Sequence, residues 1–93
     1  MKIEFNSLKD LLIFNIKYYR FVNNLSQEKL AEACGLSSRY ITDVERGLHC
    51  PTMNKLELIA KAYNIEPYVL FQNVERDEEI MVKILSNRQY NQK

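Results

Sequence analysis

The sequence predicts an all-α fold, with a compact five-helix domain followed by an additional C-terminal helix. Three observations predict it. The chain has 93 residues, too few for two independent hydrophobic cores. It contains only two glycines and two prolines, which is little material for the many tight turns of a β-sandwich. Apolar residues also recur at intervals of three and four along most of the chain, which is the period of an amphipathic helix.

The first helix is predicted to begin after Ser7, whose hydroxyl can cap the first turn together with Asp10. It ends at residues 23–24, Asn-Asn, because asparagine tolerates the left-handed conformation found at helix C-termini. The helix is apolar on more than one side, so we expect a second face to pack against another part of the protein. Its main stripe is Leu8, Leu12, Ile16 and Tyr19, and the additional apolar residues include Phe14, Tyr18 and Phe21.

Capping residues and stops divide the rest of the chain. Ser26 and Gly35 bound a second helix. A third runs from the cap Ser37 to about Arg46, and Thr52 caps a fourth. Pro67 opens a short fifth helix that ends at Phe71. In the tail, a helix is predicted over 76–88 from the spacing of Ile80, Met81, Ile84 and Leu85. The domain is therefore assigned to residues 7–71 and the C-terminal extension to residues 72–93.

Composition argues against several protein classes. Apolar residues make up 46% and charged residues 27% of the chain, as in ordinary folded domains. No segment approaches the roughly 20 apolar residues of a membrane span. Glu4 and the lack of a small-residue cleavage site argue against a secretory signal. Two cysteines indicate no disulfide framework, and Cys34 is predicted to lie in the core. The expected location is the cytoplasm.

The net charge of +1 is low for a nucleic-acid-binding protein, because such proteins usually carry a basic excess. DNA binding would require the positive charge to be concentrated on one face. His49 and Cys50 do not indicate zinc, since the chain has one histidine and two distant cysteines and a structural zinc ion needs four ligands. The sequence shows no catalytic set and no glycine-rich phosphate loop, so neither an enzyme nor a cofactor is predicted.

The most informative segment runs from Leu25 to Gly47, where two short helices meet at Gly35. Ala31 is small where the two helix axes must approach closely, and Gly35 relieves backbone strain at the corner. A helix presented in this way is narrow enough to enter the DNA major groove, which is roughly 12 Å wide. The predicted core anchors of the second of these helices are Leu36, Ile41 and Val44.

This segment resembles the phage-repressor/Cro-like (XRE-type) helix-turn-helix family. The resemblance extends from about Leu8 to Phe71, with the shared features in the same order over five helices. It implies a compact domain that binds double-stranded DNA, usually as a homodimer, with helix 37–46 in the major groove, and that regulates transcription in the manner of a repressor. The residues that carry it are Gln27, Leu30, Ala31, Gly35, Ser37, Ile41, Glu45, Gly47, Pro51, Thr52, Leu56, Ile59, Ala60, Leu70 and Phe71.

The resemblance also assigns roles to single positions. Arg39 is the foremost base-reading candidate, because arginine paired with guanine is the commonest specific contact. The full base-contact set is Ser38, Arg39, Thr42 and Asp43. The phosphate-contact set is Gln27, Ser37, Tyr40, Arg46, His49 and Asn54. A structural ion pair is expected between Arg20 and Glu45. The dimer surface is expected at Tyr68, Val69 and Phe71, enlarged by Ile80 and Ile84 of the tail.

Several alternatives stay open from the sequence. Asp43 would repel phosphate, so it either accepts a hydrogen bond from cytosine or is solvated or paired locally. Tyr40 either reaches DNA or packs on its neighbours. The tail helix either folds back onto the first helix or crosses to a dimer partner. A protein-interaction module that retains the scaffold without binding DNA is the alternative function. A phage repressor, a restriction-modification controller and an antitoxin are not distinguished.

Overall fold

The computed structural model describes the backbone of residues 2–90 and the side chains of residues 2–86. It is all-helical over this range, as predicted, with no strand among the described residues. The short helix predicted to begin at Pro67 is a 3-10 helix over Pro67–Phe71. The α-helices are α1 (Leu8–Val22), α2 (Gln27–Cys34), α3 (Ser38–Glu45), α4 (Met53–Ala62) and α5 (Glu78–Tyr90).

Each of the first four helices begins after a hydroxyl side chain, and the four predicted caps are confirmed. In every case the hydroxyl oxygen accepts a hydrogen bond from the backbone N–H three residues later, at 3.0 to 3.3 Å. This satisfies one of the N–H groups that the first turn of a helix leaves without a backbone partner. The caps are Ser7, Ser26, Ser37 and Thr52.

The corner between α2 and α3 depends on Gly35, which adopts φ +69°. A Cβ at this position would meet no atom within 4 Å. The requirement is therefore for the left-handed backbone conformation, which costs glycine little, and not for space. Asn24 also adopts a positive φ, of 56°, after α1, as the Asn-Asn pair predicts.

The main core lies between α1, α2, α3, α4 and the 3-10 helix. Ala31 of α2 is 3% exposed, and its small side chain allows the helices of the corner to pack closely. The Tyr63 hydroxyl donates a 2.6 Å hydrogen bond to the Ile16 carbonyl, which ties the end of α4 to α1. Burial raises the pKa of the Cys34 thiol, so this cysteine is an unreactive core residue. The fully buried aliphatic residues are Ile16, Leu30, Ile41, Val44, Ile59 and Leu70.

A second, smaller cluster explains why α1 is apolar on more than one side. Tyr18 of α1 packs against Met81 and Ile84 of α5, and Phe14 and Phe21 lie against the same cluster. The tail helix therefore folds back onto α1 of its own chain. Ile84 is only 4% exposed within a single chain, so the alternative in which this stripe crosses to a partner is not the packing observed.

Helix α5 begins two residues later than predicted, because residues 76 and 77 fasten it to α1. Arg76 is 3% exposed, and its Nη2 donates a 2.5 Å hydrogen bond to Asn15 Oδ1. Its guanidinium carbon lies 5.2 Å from the ring centre of Tyr18 and 5.5 Å from that of Phe14. Burial lowers the pKa of Arg76. Asp77 caps α5 by accepting hydrogen bonds from the backbone N–H groups of residues 79 and 80.

Asn15 connects the contact between Arg76 and α1 to the rest of the fold. The side chain is fully buried, and its Nδ2 donates to the carbonyls of Leu70 and Gln72 at 2.8 and 2.9 Å. It thus joins α1 to the segment that leads into α5. The sequence did not predict this, because Arg76 begins a run of charged residues that is typical of a solvated helix start.

Candidate nucleic-acid interface

Helix α3 is held firmly on its inner side and open on its outer side. Ile41 and Val44 are fully buried, and they fix the helix on the core. Ser38 and Arg39 are exposed at its N-terminal end, and Arg46, which follows its last residue, is also exposed. An α-helix with its side chains is about 10–12 Å across, so this helix fits the major groove of B-DNA. The arrangement presents a rigid helix with short and basic side chains outward.

The four predicted base-contact residues are not equally accessible. The Arg39 side chain is 87% exposed and Ser38 is exposed. Thr42 is half-buried, and its hydroxyl lies 3.0 Å from both Gln27 Oε1 and the Ser38 carbonyl. The Asp43 side chain is only 14% exposed. Ser38 and Arg39 are therefore the residues best placed to meet a base edge.

Asp43 is paired locally. Its Oδ2 lies 3.6 Å from Arg39 Nε, one helical turn earlier, and 3.7 Å from His49 Nε2 in the loop after α3. Both side chains approach the same carboxylate oxygen. The sequence treated Asp43 as a base-contact candidate and named local pairing as the alternative, and the structure contains the local pairs.

Tyr40, in the first turn of α3, forms a stacked pair with His49 of the loop that follows the helix. Their ring centres are 5.9 Å apart with 14° between the planes, and Lys55 Nζ of α4 lies 5.0 Å from the centre of the Tyr40 ring. Burial and the neighbouring Cys50 raise the pKa of the Tyr40 phenol, which keeps it a neutral hydrogen-bond donor. Tyr40 packs on its neighbours here, and its ring contacts the side chains of His49 and Lys55 at the candidate interface.

A polar network behind α3 joins three helices. Arg20 of α1 donates from Nε to Glu45 Oε2 at 2.6 Å and from Nη2 to Oε1 at 2.9 Å. The side chains are 6% and 2% exposed, so the pair that the sequence expects lies in the interior. Gln27 at the start of α2 donates from Nε2 to Glu45 Oε1 at 3.1 Å. The Gln27 amide is thus engaged within the protein at both its oxygen and its nitrogen.

The remaining predicted phosphate contacts surround α3. Ser37 has its hydroxyl engaged as the cap of α3, and Asn54 is exposed in the first turn of α4. Arg46, exposed, and Lys55, half-buried, add positive charge to this side. The two acids of α3, Asp43 and Glu45, both face cations. The basic side chains described on this side are therefore Arg39, Arg46 and Lys55, while the exposed Glu28 of α2 lines the pocket beside Ser38 and Thr42.

The predicted dimer residues fall into two groups. Tyr68 is 62% exposed, and Val69 and Phe71 are half-buried in the 3-10 helix. Ile80 is half-buried and Ile84 is buried, both in the cluster formed with α1. The first group offers an apolar surface, whereas the second is used within the chain.

One feature of the site could not be fully predicted from the sequence. It is the shared contact of Asp43 with Arg39 and His49, because His49 comes from a loop whose path the sequence does not specify. The i, i+4 spacing of Arg39 and Asp43 is the part that the sequence predicts.

Among the described residues, no helix is both long enough and apolar enough to cross a membrane.

Comparison with known proteins gives consistent similarities. A family model described as helix-turn-helix matches residues 16–70. Control protein C.SmaI of Serratia marcescens is 47% identical over 60 residues, which cover 64% of this chain and 71% of that protein. The 55 residues that match the helix-turn-helix family model include α2, the corner at Gly35 and α3.

Solved structures show the same architecture. The hypothetical transcription factor NHTF from Neisseria superposes with a TM-score of 0.71 at 29% identity, over 78% of this chain and 84% of that one. The wild-type restriction-modification controller protein C.Esp1396I superposes with a TM-score of 0.65 at 30% identity, over 88% of this chain and 99% of that one. The latter similarity extends beyond the family model to most of the chain.

Proposed function

Because this chain belongs to the helix-turn-helix family and is a DNA-binding transcriptional regulator, we propose that it acts as a homodimer that reads an operator with α3, in the manner of a restriction-modification controller. The observation that carries the proposal is the presentation of α3. Ile41 and Val44 anchor it to the core, while Arg39 extends outward with 87% of its side chain exposed.

The controller assignment is supported by the similarity to C.SmaI and by the nearly complete overlap with C.Esp1396I. The overlap with the second protein covers 88% of this chain, a larger share than the family model spans. Of the three regulator types that the sequence leaves open, the controller type is therefore the one we propose.

Dimerisation is proposed on geometric grounds. A single recognition helix contacts only a few base pairs, and two half-sites one helical turn apart are separated by about 34 Å. The described molecule measures 31 × 31 × 23 Å and carries one such helix. A two-fold dimer through the apolar surface at Tyr68, Val69 and Phe71 would supply the second helix.

The test is a binding titration against duplex DNA at two salt concentrations. If basic side chains around α3 neutralise phosphates, counterions are released, and affinity falls steeply as salt rises, with a slope of about −0.9 for each phosphate contacted. The low net charge favours the alternative of a protein-interaction module. Binding that is absent, or that is indifferent to salt, would support that alternative and contradict the proposal.

A further inference from the structure

The carboxylate of Asp43 occupies an unusual position for a residue on the outer face of a recognition helix. Its side chain is 14% exposed, whereas that of Arg39 on the same face is 87% exposed. One oxygen, Oδ2, lies 3.6 Å from Arg39 Nε and 3.7 Å from His49 Nε2. Asp43 is therefore less able to reach a base than Arg39, but it can influence where Arg39 lies.

We propose that Asp43 is a positioning residue for operator recognition, which holds the Arg39 guanidinium toward one base pair while His49 competes for the same carboxylate oxygen. This inference rests on the proposed function. It assigns specificity to a residue that itself contacts no base.

The contact with Arg39 leaves that residue able to read DNA. Asp43 approaches Nε, so the two terminal nitrogens can donate together to O6 and N7 of a guanine. An exposed arginine without such a partner has many rotamers, and ordering them on DNA costs conformational entropy. A carboxylate one turn along the helix limits those rotamers before DNA binds, and the preorganisation favours the correct base.

His49 shares the carboxylate oxygen that contacts Arg39, because its Nε2 lies 3.7 Å from Asp43 Oδ2. Its ring stacks on that of Tyr40 in α3, with the ring centres 5.9 Å apart, and this contact holds the imidazole beside Asp43. Removing the imidazole would leave this oxygen to Arg39 alone.

The experiment measures discrimination. Two DNA duplexes are compared. The first is the operator that the wild-type full chain selects, and the second differs from it at the base pair for which the Arg39→Ala variant shows no preference. The ratio of the two Kd values is determined for the wild type, Asp43→Asn and His49→Gln. Glu32→Gln is the charge-matched control, because Glu32 is 73% exposed on α2 and its loss removes the same charge.

Asp43→Asn should lower the ratio by a factor of about 3 to 10. His49→Gln should not lower the ratio, because Arg39 then has the carboxylate oxygen to itself, and Glu32→Gln should leave the ratio unchanged. Adding Asp43→Asn to Arg39→Ala should cause no further loss.

Three results would overturn the inference. The first is an unchanged Kd ratio in Asp43→Asn with an intact melting temperature, and the second is a fall in the ratio when Asp43→Asn is added to Arg39→Ala. The third is a loss of discrimination at a different base pair, which would make Asp43 a base-contacting residue. If the wild type selects no operator, the proposed function and this inference both fail. If the wild type selects an operator and Asp43→Asn behaves like Glu32→Gln, only this inference fails.

Discussion

Arg20 and Glu45 form two nearly parallel hydrogen bonds, of 2.6 and 2.9 Å, in a place that water hardly reaches. Arg20 also donates from Nη1 to the Leu25 carbonyl at 2.9 Å, and Gln27 donates to Glu45. Taking both charges out of water is costly, and the cost is offset only while every partner is in place. The pair therefore fixes α1 against α3 and supports the recognition helix from behind.

Glu45→Ala is expected to destabilise the fold by about 3–5 kcal/mol, because it leaves the Arg20 guanidinium buried without its counter-charge. Urea denaturation would measure the loss. Glu32→Ala is the matched control, since its ion pair with Lys29 has side chains 69% and 73% exposed, and such pairs contribute about 0–1 kcal/mol. A Glu45→Ala protein that is as stable as the wild type but cannot bind DNA would contradict the structural role.

Arg39 and Arg46 are both exposed, yet substitution of each should have a different effect. Arg39→Ala is expected to cost about 1–3 kcal/mol on the preferred operator and to relax one base position. Arg46→Ala should weaken binding to all sequences alike and reduce the salt slope by about 1, as expected for a phosphate contact. Selection of bound sequences with each variant would separate the two, and an unchanged motif for Arg39→Ala would remove it from the base-contact set.

At the level of single residues, the sequence was informative where a role follows from a local pattern. The hydroxyl caps and the Gly35 corner belong to this class. The Arg20–Glu45 pair was available through family resemblance. Arg76 was harder to predict, because its partner Asn15 is 61 residues away in the sequence and the sequence does not show whether a charged residue is solvated or buried. The contact of Asp43 with Arg39 follows i, i+4 spacing, whereas its contact with His49 depends on the path of a loop.

Helix α5 is the element that most distinguishes this chain from a five-helix domain alone. It buries Met81 and Ile84 against Tyr18, and it is fastened by Arg76 to Asn15. The Tyr18 hydroxyl also accepts a 2.8 Å hydrogen bond from the backbone N–H of Asp77. Apolar packing and these hydrogen bonds act together, so α5 is an integral part of the fold.

Ile84→Ala should lower the stability of the protein by about 2–5 kcal/mol, because it removes buried apolar atoms and leaves a cavity beside Tyr18. Val82→Ala on the same helix is the matched control, as Val82 is 61% exposed and surface substitutions of this kind usually change stability by about 0.5 kcal/mol or less. Thermal unfolding would compare them. Equal melting temperatures for the two variants would contradict the packing of α5 on α1.

The existence of every helix could be predicted from apolar periodicity and caps, but three properties could not. The 3-10 geometry at Pro67–Phe71 differs from an α-helix only in hydrogen-bond register. The start of α5 at Glu78 is set by the distant contacts of Arg76. Whether the stripe of α5 packs within the chain or between chains depends on the position of α1, which periodicity does not describe.

For the molecule as a whole, DNA binding at a net charge of +1 requires basic side chains to be concentrated around α3. The acids of α3 are paired, and the basic side chains described there are Arg39, Arg46 and Lys55. One molecule, 31 Å in its longest dimension, presents one candidate recognition helix. Under the proposed function, two copies related by a two-fold axis would read an operator of useful length.

The most direct measurement is selection of bound duplexes from a random pool by the full chain at physiological salt. We expect the enriched sequences to share an inverted repeat, with half-site centres about 34 Å apart and one guanine in each half-site that Arg39→Ala no longer prefers. A pool that stays random, or a single half-site without a symmetrical partner, would contradict recognition of an operator by a dimer through α3.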